Sequence, residues 1–424
     1  MLSDAVAASI AEALGAVIQH AHLATKGEYT MTYDLSLSDG RELVLRLPCF
    51  HSTAPVVEVE VATSTYLSRN TSIPVPSVVA SQNATNETSS VCFAIYEKPS
   101  GRSLDTIFTE LSSQEQGMIV TSLARWMVEG FHLTFPRIGG LTGDSEATIG
   151  PIVSKPFYAD GRAKLPLERG PFTSARAYYL ACAQRELDAC RMLFTQDAPA
   201  SYQRDLEESR VMVERIAGLL CDLTCRCRGL DDDDPEMAPF SLDIHGLALK
   251  DIFVSPENST HIVAVTGWQF VSTRPLWCCA RLPTWLSPSM SSHQDTARLA
   301  AIFKAEVARI EGVDSPFLRA LDLDDTRYTL DDLSSYDAFR DGFLLLPALE
   351  NILATLPGHE DFAGLNALLD PSTLPGRVAR INLLTRGSNA MYLAMTPPRS
   401  PQTLPVKDEG TEKAMPPDSS VLVT

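Results

Sequence analysis

Residues 28 to 48 read EYTMTYDLSLSDGRELVLRLP, polar and apolar side chains alternating on both sides of Asp39-Gly40. A period of two marks a strand with one buried face, and Asp-Gly supplies the positive φ angles of a tight turn, so the stretch predicts an antiparallel hairpin. VVEVEVATSTYLSRN, residues 56–70, predicts a helix that ends before Pro74 and Pro76, neither of which can continue it. VVASQN and SVCFAIYEK then predict strands about a polar loop. SGRSLDTIF turns the chain toward a long helix around Gln114 to Thr134. Ahead of all these, MLSDAVAASIAEALGAVIQHAHL predicts an amphipathic helix within residues 1–24.

Beyond residue 100 the period changes. Helical spacing recurs in SARAYYLACAQRELDACRML, EESRVMVERIAGLLCDL, QDTARLAAIFKAEVARIEG and DAFRDGFLLLPALENILATL. Strands early and helices late predict an α+β protein with a small antiparallel-sheet lobe over residues 25–100 and a larger helical lobe over 101–395, the boundary falling near Ser100-Gly101. GLDDDDPEMAPF reads as a solvated connector. Residues 396–424, rich in proline and polar side chains, bury too little apolar surface to offset their ordering entropy and predict a disordered tail.

Composition narrows the partners. With 53 acidic and 35 basic side chains the net charge is -18, which repels phosphate backbones and anionic lipid, so neither nucleic acid nor a membrane surface is expected as a partner. The nine cysteines have no regular spacing, and Cys221, Cys225 and Cys227 lack the paired arrangement of zinc sites; reduced thiols and no metal-thiolate site are expected. The first residues carry Asp4 and Glu12 without a basic n-region, unlike a signal peptide, which makes a cytoplasmic location the expectation. The sequons at Asn70, Asn83, Asn86 and Asn258 would then go unused.

The chemistry is concentrated in DIHGLALKDIFVSPENSTHIVAVTGWQF, residues 243–270. Together with EVATSTYLSRNTSIPVPSVV, FAIYEKPSGRSL and RGPFTSARAYYLA, in that order over roughly residues 25 to 290, it resembles the aminoglycoside phosphotransferase and choline-kinase-like family, especially its fungal branch. That resemblance implies a bilobal protein-kinase-like fold, ATP and Mg²⁺ as cofactors, and transfer of a phosphoryl group to a hydroxyl. The family would carry H-x-D-L-x-x-x-N-I-x-V followed by a D-W-E turn. Here the same frame reads Ile244, Gly246, Leu247, Asp251, Ile252 and Val254, then Gly267-Trp268-Gln269, so both key aspartates are glycine. Asp251 puts a carboxylate, which hard Mg²⁺ accepts, where the family has a neutral asparagine oxygen. Asp243 lies three residues before the lost base and is the candidate substitute; His245 is the neighbouring histidine.

The resemblance also places Arg46 at the strand position whose cation meets nucleotide phosphates, Glu60 on the helix that orients it, and Tyr96, Glu97 and Lys98 at the hinge where adenine is met. Lys26-Gly27 resembles a reduced phosphate loop. Trp268 and Phe270 read as packing aromatics. Two functions remain open on these residues. One is a catalytically impaired, pseudokinase-like protein acting by binding a small-molecule ligand or a protein partner. The other is an active ATP-dependent small-molecule phosphotransferase working with displaced carboxylates.

Overall fold

The computed structural model describes residues 2–27, 29–49, 55–83, 91–143, 148–193, 203–231, 240–287, 295–323 and 326–356. Helix α1 (Asp4–Leu14) is followed by strands β1 (Ile18–Lys26), β2 (Thr30–Leu37) and β3 (Glu42–Pro48), helix α2 (Val56–Asn70), and strands β4 (Val78–Gln82) and β5 (Phe93–Glu97). The five strands form one antiparallel sheet in the order β1-β2-β3-β5-β4. The alternation read in the sequence sorts its faces. Met31, Tyr33, Leu35, Leu37, Leu43, Leu45, Leu47, Phe93 and Ile95 are buried with Ile10 of α1. Their neighbours Thr32, Val44, Arg46 and Tyr96 point to the opposite face, where Val57 and Val61 of α2 pack on Ala94 and Tyr96.

The hairpin turns at Asp39-Gly40 and α2 spans residues 56–70, as the periodicity requires. The first segment differs from expectation. The helix expected within residues 1–24 stops at Leu14, where Gly15 takes φ +62° and its N–H bonds the carbonyls of Ala11 and Glu12. A left-handed glycine with these bonds terminates a helix. The chain then runs as β1 from Ile18, so the sheet lobe begins before residue 25.

The second lobe opens with β6 (Arg102–Ser103) and α3 (Ser113–Phe131), whose N-terminus carries a reciprocal capping box between Ser112 and Glu115. Then come β7 (Gly140–Thr142), β8 (Thr148–Gly150), α4 (Lys155–Tyr158), α5 (Ala175–Leu193), α6 (Gln203–Arg226), β9 (Phe240–Leu242), β10 (Ile252–Val254), β11 (Ile262–Val265), β12 (Thr273–Pro275), α7 (Leu276–Cys279), α8 (Thr296–Glu311), α9 (Pro316–Leu321), α10 (Thr326–Ser334) and α11 (Gly342–Thr355). The four helical stretches read from the sequence fall on α5, α6, α8 and α11. One apolar core unites α3, α5, α6 and α8 to α11 with the buried side chains of β9, β10 and β11.

The architecture is therefore α+β, with a small antiparallel-sheet lobe and a larger helical lobe. Among the described residues no helix is long and apolar enough to cross a membrane. Of the run of four aspartates, Asp231 is described, and its carboxylate accepts the N–H groups of Ala175 and Arg176 at 2.5 and 3.1 Å, capping α5. The other three, Asn86 and the 396–424 tail lie outside the described residues.

Candidate functional site

A cleft of 710 Å³ separates the lobes. Its roof is the polar face of the sheet, Thr30, Thr32, Asp34, Val44, Arg46 and Tyr96, and its floor is formed by Lys250, Asp251, Phe253, Thr266, Trp268 and Gln269. Lys26 and Gly27 close one side, Glu97 and Lys98 another, and Glu60 faces in from α2. Arg46, Glu60, Tyr96, Glu97, Lys98 and Asp251, taken from four separate stretches of sequence, thus line one cavity.

Arg46 lines the roof. Its guanidinium is 3.3 Å from Glu60 and donates to Thr32 and Thr30 at 3.3 Å each and to Gln269 Oε1 at 2.5 Å. Glu60 is 4% exposed; burial raises its carboxyl above the usual value, Arg46 opposes this, and the charge of Asp251 adds to it. Burial likewise holds the Tyr96 hydroxyl well above its ordinary value. Lys98 is engaged on the rim by Asp34 at 3.5 Å and Glu42 at 3.3 Å. Lys26 and Lys250, by contrast, form no salt bridge among the described residues, though the charge of Lys250 acts on the Asp251 carboxyl beside it. No motif marks Lys250; only its place in the turn before Asp251 brings it to the cleft.

Asp251 ends the short turn Leu249–Asp251 and leads into β10; β11 returns antiparallel to it, Ile252 opposite Val265, and delivers Gly267 directly beside it. A Cβ built on Gly267 would stand 2.7 Å from Asp251 Cγ and 2.9 and 3.0 Å from its two carboxylate oxygens. The Asp251 carboxylate therefore fills the space that a side chain at 267 would enter. Gly267 also has φ +91°, a conformation costly for other residues. Asp251 Oδ2 accepts the Ala248 N–H at 3.4 Å, and burial raises its carboxyl despite Lys250 nearby. Gly246 is different: a Cβ there would meet nothing within 4 Å.

Asp243 and His245 do not line the cleft. Asp243 Oδ1 is bonded to His245 Nδ1 and accepts the His245 N–H at 3.3 Å, while the Asp243 N–H donates to Ser272 at 2.9 Å. Burial would raise the Asp243 carboxyl, but His245, Arg274 and Arg281 outweigh it and hold it below its usual value. Arg274 and Arg281 both pair with Asp331 of α10, Arg281 at 3.0 Å; Tyr179 donates to Asp331 at 3.0 Å and Cys278 at 3.3 Å. Trp268 is buried in the helical-lobe core, its indole N–H on the Val265 carbonyl at 3.1 Å, and Phe270 packs edge-on against Tyr29.

The ion cluster has a pH signature. Although burial would raise the Asp331 carboxyl, Arg274 and Arg281 hold it down at about 2. The unfolded chain, with an ordinary aspartate, takes up that proton first as pH falls. About 2 kcal/mol of stability is therefore present above pH ~4 and is lost toward pH ~2. Urea denaturation at pH 5 and pH 3 should show about half of this loss in the unmodified chain and a smaller one in Asp331→Asn.

No family model matches the chain. Among curated proteins, two subtelomeric hrmA-associated cluster proteins, from two strains of Aspergillus fumigatus, are 27% and 26% identical over 164 residues. The match covers 34% of this chain and only 31% of each relative, about a third of their length. The solved structures it is similar to include a thermostable mutant of the aminoglycoside phosphotransferase APH(4)-Ia with ADP and hygromycin B, 17% identical with a TM-score of 0.43, covering 82% of this chain and 98% of that one. The streptomycin–ATP complex of APH(2″)-IIa is 11% identical with a TM-score of 0.46, over 84% and 97% of the two chains. ADP-bound APH(2″)-Ib gives 11%, 0.47, 84% and 98% for the same quantities.

Proposed function

We propose that this protein is a catalytically silent member of the aminoglycoside phosphotransferase and choline-kinase-like family that holds a nucleotide between its lobes and acts through binding. The observation that carries the silent reading is the pair Gly246 and Gly267. One position offers open space where the motif has its base, and the other offers space already filled by Asp251. Phosphoryl transfer in kinase-like folds depends on positioning and on carboxylates that ready the hydroxyl and gather charge; a lost base costs about 10²- to 10⁴-fold. Asp243, the nearest substitute in sequence, is tied to His245 and turned toward Arg274 and Arg281, which supports a positioning role for it beneath the loop.

Nucleotide binding is supported by the cleft. Its volume lies within the range of small-molecule sites. In a chain of net charge -18, it brings Lys26, Arg46, Lys98 and Lys250 together with Asp34, Glu60, Glu97 and Asp251, an even balance of charge. We assign phosphate contact to Arg46, held by Glu60, and adenine contact to the Tyr96–Lys98 hinge, where backbone groups serve and catalysis is not required. The output of such a protein would be a ligand-dependent contact with a small molecule or a protein partner, and the cytoplasm remains our proposed location.

Thermal unfolding in rising ATP tests both parts. A ligand that binds only the folded state raises the midpoint, by about 2.7 kcal/mol of stability at a hundredfold excess over Kd. The expected result is a saturable rise with no ATP consumed. Absence of any rise would leave an interaction scaffold without nucleotide. Mg²⁺-dependent ATP turnover that disappears in Asp251→Ala would establish the displaced-carboxylate enzyme instead.

A further inference from the structure

We infer that the cleft takes a nucleoside di- or triphosphate without a divalent cation, the phosphate charge being met by Lys26, Arg46 and Lys250. This rests on the nucleotide reading above and concerns how that ligand is held.

The residues present do not fit Mg²⁺. That ion requires near-octahedral oxygen coordination and is normally held through carboxylates together with the phosphates. Asp251 supplies one carboxylate, and the position beside it is Gly267. A second carboxylate has no room there while Asp251 keeps its place, because the first atom of such a side chain would already be 2.7 Å from Asp251 Cγ. Glu60 is ion-paired with Arg46 at 3.3 Å, although its Oε2 has no hydrogen-bond partner, and the side-chain oxygen of Gln269 accepts from the same guanidinium. Among the described residues no group of three histidine, cysteine, aspartate or glutamate side chains could hold a metal ion.

The cations are arranged to take over that task. Lys26 ends β1 at the turn into β2, in the sheet lobe, and Lys250 sits in the turn before β10, in the helical lobe. Both line the cleft and form no salt bridge among the described residues, though the charge of Lys250 acts on the Asp251 carboxyl beside it. Arg46 lines the same cleft, and its planar fork suits phosphate oxygens. A phosphate chain placed there meets positive charge from both lobes, with the carboxylates of Asp34, Glu60, Glu97 and Asp251 lining the same cavity. Asp251, when ionised, then acts against the ligand as a negative charge on the cavity wall, which is the reverse of a metal ligand's effect.

That difference in sign makes the test decisive. ADP is titrated calorimetrically into the full chain, once with excess EDTA and once with excess Mg²⁺. Binding in EDTA is expected at least as tight as in Mg²⁺, weakened about tenfold by Lys250→Ala and strengthened about threefold by Asp251→Asn. Tightening by Mg²⁺ of more than about threefold, abolished in Asp251→Asn, overturns the inference while leaving the nucleotide reading intact. If ADP gives no heat and no thermal stabilisation under either condition, the nucleotide reading fails and the inference falls with it.

Discussion

A chain carrying Gly246→Asp, Asp251→Asn and Gly267→Asp together is expected to hydrolyse ATP in Mg²⁺ at least ~100-fold faster than the unmodified chain. The three changes are coupled by geometry. At 246 an aspartate enters free space. At 267 it enters the volume held by the Asp251 carboxylate and would place two acidic groups in contact where burial already disfavours the charge of one. The asparagine at 251 removes that repulsion and returns the neutral oxygen of the motif. The double variant that keeps Asp251 is expected to remain silent and to lose about 2 kcal/mol of stability, from positive φ and crowding together. Steady-state ATPase assays and urea midpoints on the two variants read these outcomes. A folded triple variant at background rate would mean that the scaffold is silenced elsewhere as well.

Asp331→Ala is expected to cost about 3–5 kcal/mol, the largest effect of any single change described. Asp331 faces Arg274 and Arg281 and accepts from Tyr179 and Cys278. Removing it leaves two guanidinium groups in a region where Asp331 itself is 12% exposed. Its neighbour Asp332 pairs with Arg281 at 2.9 Å but is 64% exposed, so Asp332→Ala should cost less than about 1 kcal/mol. Equilibrium denaturation distinguishes the two. Hydrogen exchange should also quicken along residues 240–246, because Asp243 faces the same arginines.

The sheet lobe was legible wherever its strands have one buried face. β2 and β3 show a period of two because Leu35 and Leu45 are buried while Asp34 and Arg46 lie opposite. β1 was hidden by the same physics: it is an edge strand, exposed from Gln19 to Lys26, so no burial pattern imprints its sequence. It reads instead as a continuation of the helix before it. At the site, motif spacing identified which residues stand at 246, 251 and 267. The contact between Asp251 and Gly267 depends on the pairing register of β10 and β11, which a linear reading does not supply. Lys250 lacked any pattern of its own, and the partnership of Arg274 with Asp331 bridges 57 positions of sequence. Such long-range pairs of charges leave no periodic trace.

The bond from Arg46 on the sheet to Gln269 below it ties the roof of the cleft to its floor. A second tie, from the Val265 N–H to the Pro74 carbonyl at 2.8 Å, lies further back and involves only main chain. Occupancy and articulation consequently compete for a single guanidinium. A guest that recruits Arg46 unfastens that latch alone, while Tyr29 on Phe270, Tyr66 on Phe135 and Ser72 on Glu129 keep the lobes fastened. The filled protein should therefore loosen at the mouth of the cleft and stay rigid behind it.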